Sequence, residues 1–253
     1  MSAWNPTTGH IQIDEHDGIA VITLQRAEKL NALTAAMRRE LAAVIRHLGD
    51  GERARGIVLT GAGRAFSAGE DLREAAAQPA GGLLEEVELF HDITRAVLQT
   101  RVPVVGAING IAVGGACEVT LCLDARIGSP RAEFFLPENT LGLTISNASS
   151  VLLPRLVGAA RALRMVLDTA RLGAEQALAI GLLDEIVDEP VDAAVRLIDR
   201  WTQPGTATAV HLALLRPALD LVEQAMARET DAARAVDESG IAKAGVDRFF
   251  ERR

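Results

Sequence analysis

The chain has 253 residues, 49% of them hydrophobic and 24% charged, which is enough for one large domain or a domain with a smaller appendage. These proportions exclude a disordered, collagenous or low-complexity chain. A net charge of −8 with no Lys/Arg-rich block argues against nucleic acid or an anionic membrane as partner. The uncharged run from Val102 to Cys117 is too short to span a bilayer and is broken by Pro103 and four glycines. The opening MSAWNPTTGH has neither the basic residues nor the apolar stretch of a secretory signal. Two cysteines, Cys117 and Cys122, form neither a disulfide framework nor a zinc site, so a cytoplasmic location is expected.

In chain order, IQIDEHDGIAVITLQ alternates apolar and polar residues on both sides of Asp17-Gly18 and predicts a β-hairpin. Met37, Leu41, Val44, Ile45 and Leu48 recur at helical spacing behind Thr34, a capping residue. Ile57–Thr60 predicts a buried strand running into a glycine loop. Residues 72–82 mix charge, alanine, proline and glycine and predict a mobile loop, followed by a helix from about Glu85 to Thr100. The block PVVGAINGIAVGGACEVTLCLDARIGS predicts strand, glycine turn, buried helix and strand, and EFFLPEN a short strand stopped by Pro137. Residues 155–187 predict two helical segments split near Gly173, then a strand end at Ile186-Val187. From Asp192 onward the pattern is helical, interrupted at Pro204-Gly205 and Pro217. Strands alternating with helices predict an α/β core over 1–191, and the remainder, 192–253, a helical subdomain.

Three segments carry chemistry-bearing residues. In AFSAGEDL, Ala68 and Gly69 are small enough to let a ligand approach the main chain; the alternative is a plain turn. The segment lacks the third glycine of a dinucleotide fingerprint. In NGIAVGGACEV, Gly115 opens a helix whose unpaired amides face the positive end of the helix dipole, an environment suited to a developing oxyanion. Glu118, in the first turn, is the sole charge between Arg101 and Asp124, and its neighbours Val113, Cys117, Val119 and Leu121 leave no polar face for it. A buried unpaired carboxylate is costly, so a function is expected of it. In FFLPENTLGL, Glu138 follows Pro137 at a strand end, where side chains of α/β folds face a crevice. Two glutamates beside glycine-lined main chain are what acid–base chemistry at a carbonyl needs. The five histidines are scattered without ligand spacing, no Gly-x-Ser-x-Gly elbow occurs, and Ser146, Ser149 and Ser150 read as loop hydroxyls.

These segments, with RAEKLNAL, LPRLVG, RLGAEQALAIGLLDEIVDE and GVDRFFERR in the same order, resemble the crotonase superfamily of enoyl-CoA hydratases and isomerases across nearly the whole chain. The resemblance implies a superhelical spiral of repeated ββα units with a C-terminal helical region that forms homotrimers, commonly stacked as hexamers. It implies an acyl-CoA substrate, with CoA entering as part of the thioester and no other cofactor or metal. The amides of Ala68 and Gly115 would form the oxyanion hole, and Glu118 and Glu138 match the two catalytic glutamates of hydratases. Ala68, Gly69, Glu70 and Asp71 would run beside the pantetheine arm, with Leu72 next to them in the substrate-binding set, and Arg26 and Lys29 lie in the loop near the CoA nucleotide. Retention of both glutamates implies hydration of a 2-enoyl-CoA; isomerisation, retro-Claisen cleavage and thioester hydrolysis are the alternatives. Hydratases usually continue after Leu143 with Pro-Gly-x-Gly-Gly-Thr, where this chain has TISNASS from Thr144 to Ser150.

Overall fold

The computed structural model describes residue Trp4 and residues 6–77 and 82–251. Strands β1 (Ile11–His16) and β2 (Ile19–Leu24) pair antiparallel, from Ile11 opposite Leu24 to His16 opposite Ile19. Asp17 and Gly18 between them both take positive φ, the two-residue turn whose twist matches its strands. Helix α1 (Ala35–Leu48) starts where the Thr34 side chain accepts the Met37 amide, and it buries Met37, Leu41, Val44, Ile45 and Leu48.

From β3 (Gly56–Gly61) the chain alternates between two sheets. It crosses to β4 (Ala65–Ser67), runs through α2 (Leu72–Ala76) and α3 (Gly82–Leu98), and returns as β5 (Val104–Ile108). It crosses again to β6 (Ile111–Val113) and α4 (Gly115–Thr120), returns as β7 (Ala125–Gly128), and crosses once more to β8 (Glu133–Phe135). There follow α5 (Glu138–Leu141), α6 (Ser149–Val157), α7 (Ala159–Leu167), β9 (Leu172–Gly173), α8 (Ala174–Ala179) and β10 (Glu185–Ile186). Helices α9 (Pro190–Trp201), α10 (Thr208–Leu215), α11 (Leu219–Glu238) and α12 (Ile241–Glu251) complete the described chain.

The larger sheet has the order β1-β2-β3-β5-β7-β10 and the smaller β4-β6-β8-β9. Within them β3, β5 and β7 are parallel neighbours, and so are β4, β6 and β8. Each turn of chain therefore advances by one strand spacing, about 4.8 Å. This is the spiral of ββα units that the resemblance implied. Parallel strands are covered on both faces. On one side α1 and α3 close over the larger sheet, and on the other Ala193, Ala194 and Ile198 of α9 pack on Val21, Val58, Val105 and Ile127. Helix α11 lies along α3 and α6, while α12 packs against α5 and α2, so the last helices return over the side of the spiral that carries α2 to α5.

The structure corrects two expectations. Leu72–Ala76 is helical rather than a loop, with Asp71 capping it by accepting the Arg73 amide, and residues 78–81 of that segment lie outside the described residues. The helical stretch from 155 breaks a first time at Gly158, whose φ of 83° ends α6 and opens α7, before the break near Gly173. The short strand does stop before Pro137, and Glu138, which follows it, is the first residue of α5. Among the described residues no helix is long and apolar enough to cross a membrane.

Candidate active site

A cavity of about 430 Å³ lies where the crossovers meet the start of α4, and Ala68, Glu70, Leu72, Gly115, Glu118 and Glu138 all line it. A larger hollow of about 510 Å³ beneath α10 contains none of these residues, and two of the charged residues lining it, Arg216 and Asp124, are joined at 2.6 Å.

Glu118 is 1% exposed, as its apolar neighbours required. Its carboxylate is held by donors from the segment Thr144–Ser150. The Ser146 amide donates to Oε1 at 2.9 Å, the Ser146 hydroxyl to Oε2 at 2.5 Å, and Asn147 Nδ2 to Oε2 at 3.2 Å. The Thr94 hydroxyl donates to Asn147 Oδ1 at 2.9 Å, which fixes the amide with its nitrogen toward Glu118. Burial pushes the Glu118 carboxyl up to about 7, against the pull of the Ser146 donors. Ser146 and Asn147 were missed as functional residues. The available signal was the buried acid itself, since such a group requires donors and the polar run after Leu143 supplies them.

That run is in turn held from a distance. Asn147 and Ala148 have φ of 59° and 57°, a conformation that costs an alanine roughly 1–2 kcal/mol. Glu229 on α11, 4% exposed, offsets this cost by accepting the amides of Ala148 and Ser150, each at 2.8 Å. The fully buried His91 lies 3.3 Å from the same carboxylate.

Glu138 presents the opposite case. It is 7% exposed, and its Oε2 has no hydrogen-bond partner. Burial first, and the nearby charge of Glu118 second, push its carboxyl well above the usual range. Its Oε1 sits against the start of α4, where a Cβ built on Gly114 would lie 2.9 Å from it.

The amides differ from expectation at one position. The Ala68 N–H donates to the Leu30 carbonyl at 2.8 Å, so it is not a free donor. Two residues on, Glu70 forms a parallel bridge with Leu33, in which Gly69 C=O and Asp71 N–H make the bonds to Leu33. The Glu70 N–H itself is thereby turned the other way, with no partner among the described residues. The Gly115 N–H, at the first position of α4, is likewise unpartnered. Gly69, at φ 83°, brings the two together: a Cβ there would overlap the Val113 carbonyl oxygen and lie 3.6 Å from Gly115 N. The pair of free donors is thus Glu70 and Gly115 rather than Ala68 and Gly115.

The charged residues near the loop are partly engaged. Arg26 is bound to Asp71 at 2.6 Å and to the Ala32 carbonyl at 3.1 Å, so its guanidinium is committed to the fold. Lys29 is exposed at the end of a short 3-10 turn, Ala27–Lys29. Leu72 lines the cavity, whereas Gly69 and Asp71 shape the loop behind it.

A family model described as enoyl-CoA hydratase/isomerase matches residues 14–253. Over 205 residues the chain is 40% identical to a Rhodobacter capsulatus protein named "Probable enoyl-CoA hydratase", covering 80% of this chain and 75% of that one. It is 32% identical over 248 residues to the 1,2-epoxyphenylacetyl-CoA isomerase of Escherichia coli, covering 93% of each. The crystal structure of an enoyl-CoA hydratase/isomerase from Mycobacterium paratuberculosis superimposes with a TM-score of 0.87 at 26% identity, over 94% of this chain and 98% of that one.

Proposed function

The chain belongs to the enoyl-CoA hydratase/isomerase family, and from that premise we propose that it adds water reversibly across the 2,3 double bond of a 2-enoyl-CoA. The observation that carries this is the contrast between two buried carboxyls in one cavity: Glu118 accepts three hydrogen bonds and Glu138 Oε2 accepts none. Donors stabilise an ionised carboxylate, and an undonated buried carboxyl keeps its proton, so Glu118 is the base and Glu138 the acid.

The thioester carbonyl oxygen accepts the Glu70 and Gly115 amides, which draw charge onto it as the double bond polarises. Glu118 takes one proton from a water as its oxygen bonds to the β-carbon, the π electrons move onto the carbonyl oxygen as an enolate, and Glu138 delivers its proton to the α-carbon. The proton on Glu118 then returns to Glu138 through the next water, so each cycle consumes one water and no net proton. CoA enters as part of the substrate.

Loss of the conjugated enoyl-thioester absorbance with short- and medium-chain 2-enoyl-CoAs is the expected result of mixing enzyme and substrate. No turnover at any chain length would remove the proposal. A second reaction, double-bond isomerisation by Glu138 alone, is favoured by one feature, that both Glu118 oxygens are already engaged by the protein. It predicts turnover of a 3-enoyl-CoA that survives Glu118→Gln.

Homotrimers, stacked as hexamers, belong to the same proposal. Helix α10 buries none of its residues and leaves Val210, Leu214 and Leu215 59%, 73% and 79% exposed, an apolar surface suited to a second copy of the chain. Sedimentation is expected to give a trimer or hexamer for the native chain and smaller species for Leu215→Glu; a native monomer would contradict it.

A further inference from the structure

Beyond the reacting end, the cavity changes character. Phe90 of α3 packs on Gly115, where a Cβ would overlap the ring, and one helical turn back along α3, about 5.4 Å, stands Glu86. Glu86 is 3% exposed and lines both this cavity and an adjoining one of about 330 Å³ beneath α12. Its Oε2 is bound by Arg38, a fully buried guanidinium stacked 4.7 Å above the Phe90 ring, and its Oε1 has no hydrogen-bond partner. Glu70 stands on the other side of Arg38 at 3.5 Å, and its Oε1 is likewise without a hydrogen bond. Two carboxyl groups thus share one guanidinium, at the wall common to the two cavities.

A buried acceptor left unpaired is costly, and a bound ligand that supplies a donor removes that cost. A ligand that brings a further carboxylate to the same wall meets two carboxyl groups that already share Arg38, whose one unpartnered donor is the buried Nε; the other cations of the two cavities, Arg171 and Lys243, are paired with Glu133 and Asp247. We propose that Glu86 makes this an acyl site for chains whose distal end carries a hydrogen-bond donor, a hydroxyl or an ammonium group, and a poor site for chains ending in a carboxylate. The inference rests on the reading above in one respect, that the acyl group occupies this cavity. It adds the substrate class, which neither the two reacting glutamates nor the amides specify. Glu86 stands one helical turn along α3 from the Phe90 ring that packs on Gly115, so the longer chains are the ones expected to meet it.

Titration calorimetry with saturated acyl-CoAs tests this without requiring turnover. Six- and eight-carbon chains ending in methyl, hydroxyl or carboxylate are compared on the native protein. The hydroxyl form is expected to bind about tenfold more tightly than the methyl form, and the carboxylate form at least tenfold more weakly, because a built polar site discriminates by leaving groups unpaired. Glu86→Gln removes the charge and is expected to relieve the rejection of the carboxylate chain. Glu86→Met removes the acceptor at similar length and is expected to bring the hydroxyl and methyl chains within threefold. Circular dichroism and denaturant midpoints of both variants report whether the fold is intact. Equal binding of hydroxyl and methyl chains by the native protein, or a preference that persists in Glu86→Met, overturns the inference. Native selectivity without hydration of any 2-enoyl-CoA would leave it standing and remove the hydratase proposal instead.

Discussion

Glu118→Gln is expected to lower kcat for hydration by about 10³-fold, in the range of a lost general base. The amide cannot take the proton from water. It also turns an NH₂ group toward a niche built of donors, the Ser146 amide and hydroxyl and the Asn147 nitrogen, so one donor is left facing another. A residual rate within tenfold of the native enzyme would show that Glu118 does not act on water. The pH dependence carries the same information. With the Glu118 carboxyl pushed up to about 7 and that of Glu138 also raised well above its usual range by burial, native kcat/KM is expected to rise with pH through about 7 as Glu118 ionises, and to fall again when Glu138 loses its proton. The Gln variant lacks the rising limb. Stability follows the opposite direction. Because the folded protein holds the Glu118 proton more tightly than the unfolded chain does, the stabilisation from that proton is complete below the ordinary value near 4.5. It is lost as pH rises through about 7. Denaturant midpoints between pH 5 and 8 should therefore fall less steeply for Glu118→Gln than for the native protein.

Gly69→Ala is expected to cost about 10²-fold or more in kcat, the effect of misplacing one oxyanion donor, with KM changed far less. A methyl group at Gly69 overlaps the Val113 carbonyl oxygen and sits at a φ that disfavours any side chain, so the loop must withdraw from β6. Withdrawal separates the Glu70 amide from that of Gly115. A loss of about 1–2 kcal/mol in stability should accompany it, from the left-handed conformation alone. Circular dichroism and the kinetics of the folded protein distinguish the two effects. A folded Gly69→Ala protein with native kcat would show that the two amides do not act on the thioester oxygen. Ala68→Gly, whose amide is engaged by Leu30, should change kcat by less than threefold in the same assay.

Local patterns foretold what local physics decides. The Asp17-Gly18 turn, the Thr34 cap and the buried β3 follow from residues within a few positions of one another. Glu118 was legible for a different reason: a lone charge in an apolar block has few explanations, and a first-turn position beside Gly115 narrows them further. The misassigned amide shows where such inference stops. Whether Ala68 or Glu70 has a free N–H depends on the register of residues 68–71 against Leu30 and Leu33, which lie in a loop some thirty-five residues earlier. Arg26 was drawn away by Asp71 through the same long-range pairing. The helix at Leu72–Ala76 was hidden by the proline and glycines that follow it, although REAA is itself a good helical sequence. The polar run after Leu143 was legible only as a departure. Its purpose, to seat a carboxylate from α4, requires the fold.

The grip of Glu229 on Ala148 and Ser150 also bears on the order in which the protein is made. A ribosome that has extruded the chain through β10 has delivered both glutamates, both amides and the whole spiral. The turn that seats Glu118 nevertheless stays unpinned until α11 emerges some forty residues later. The seat of Glu118 is thus completed only once α11 has been made, and a transcript cut short before Glu229 encodes a spiral with that turn unpinned.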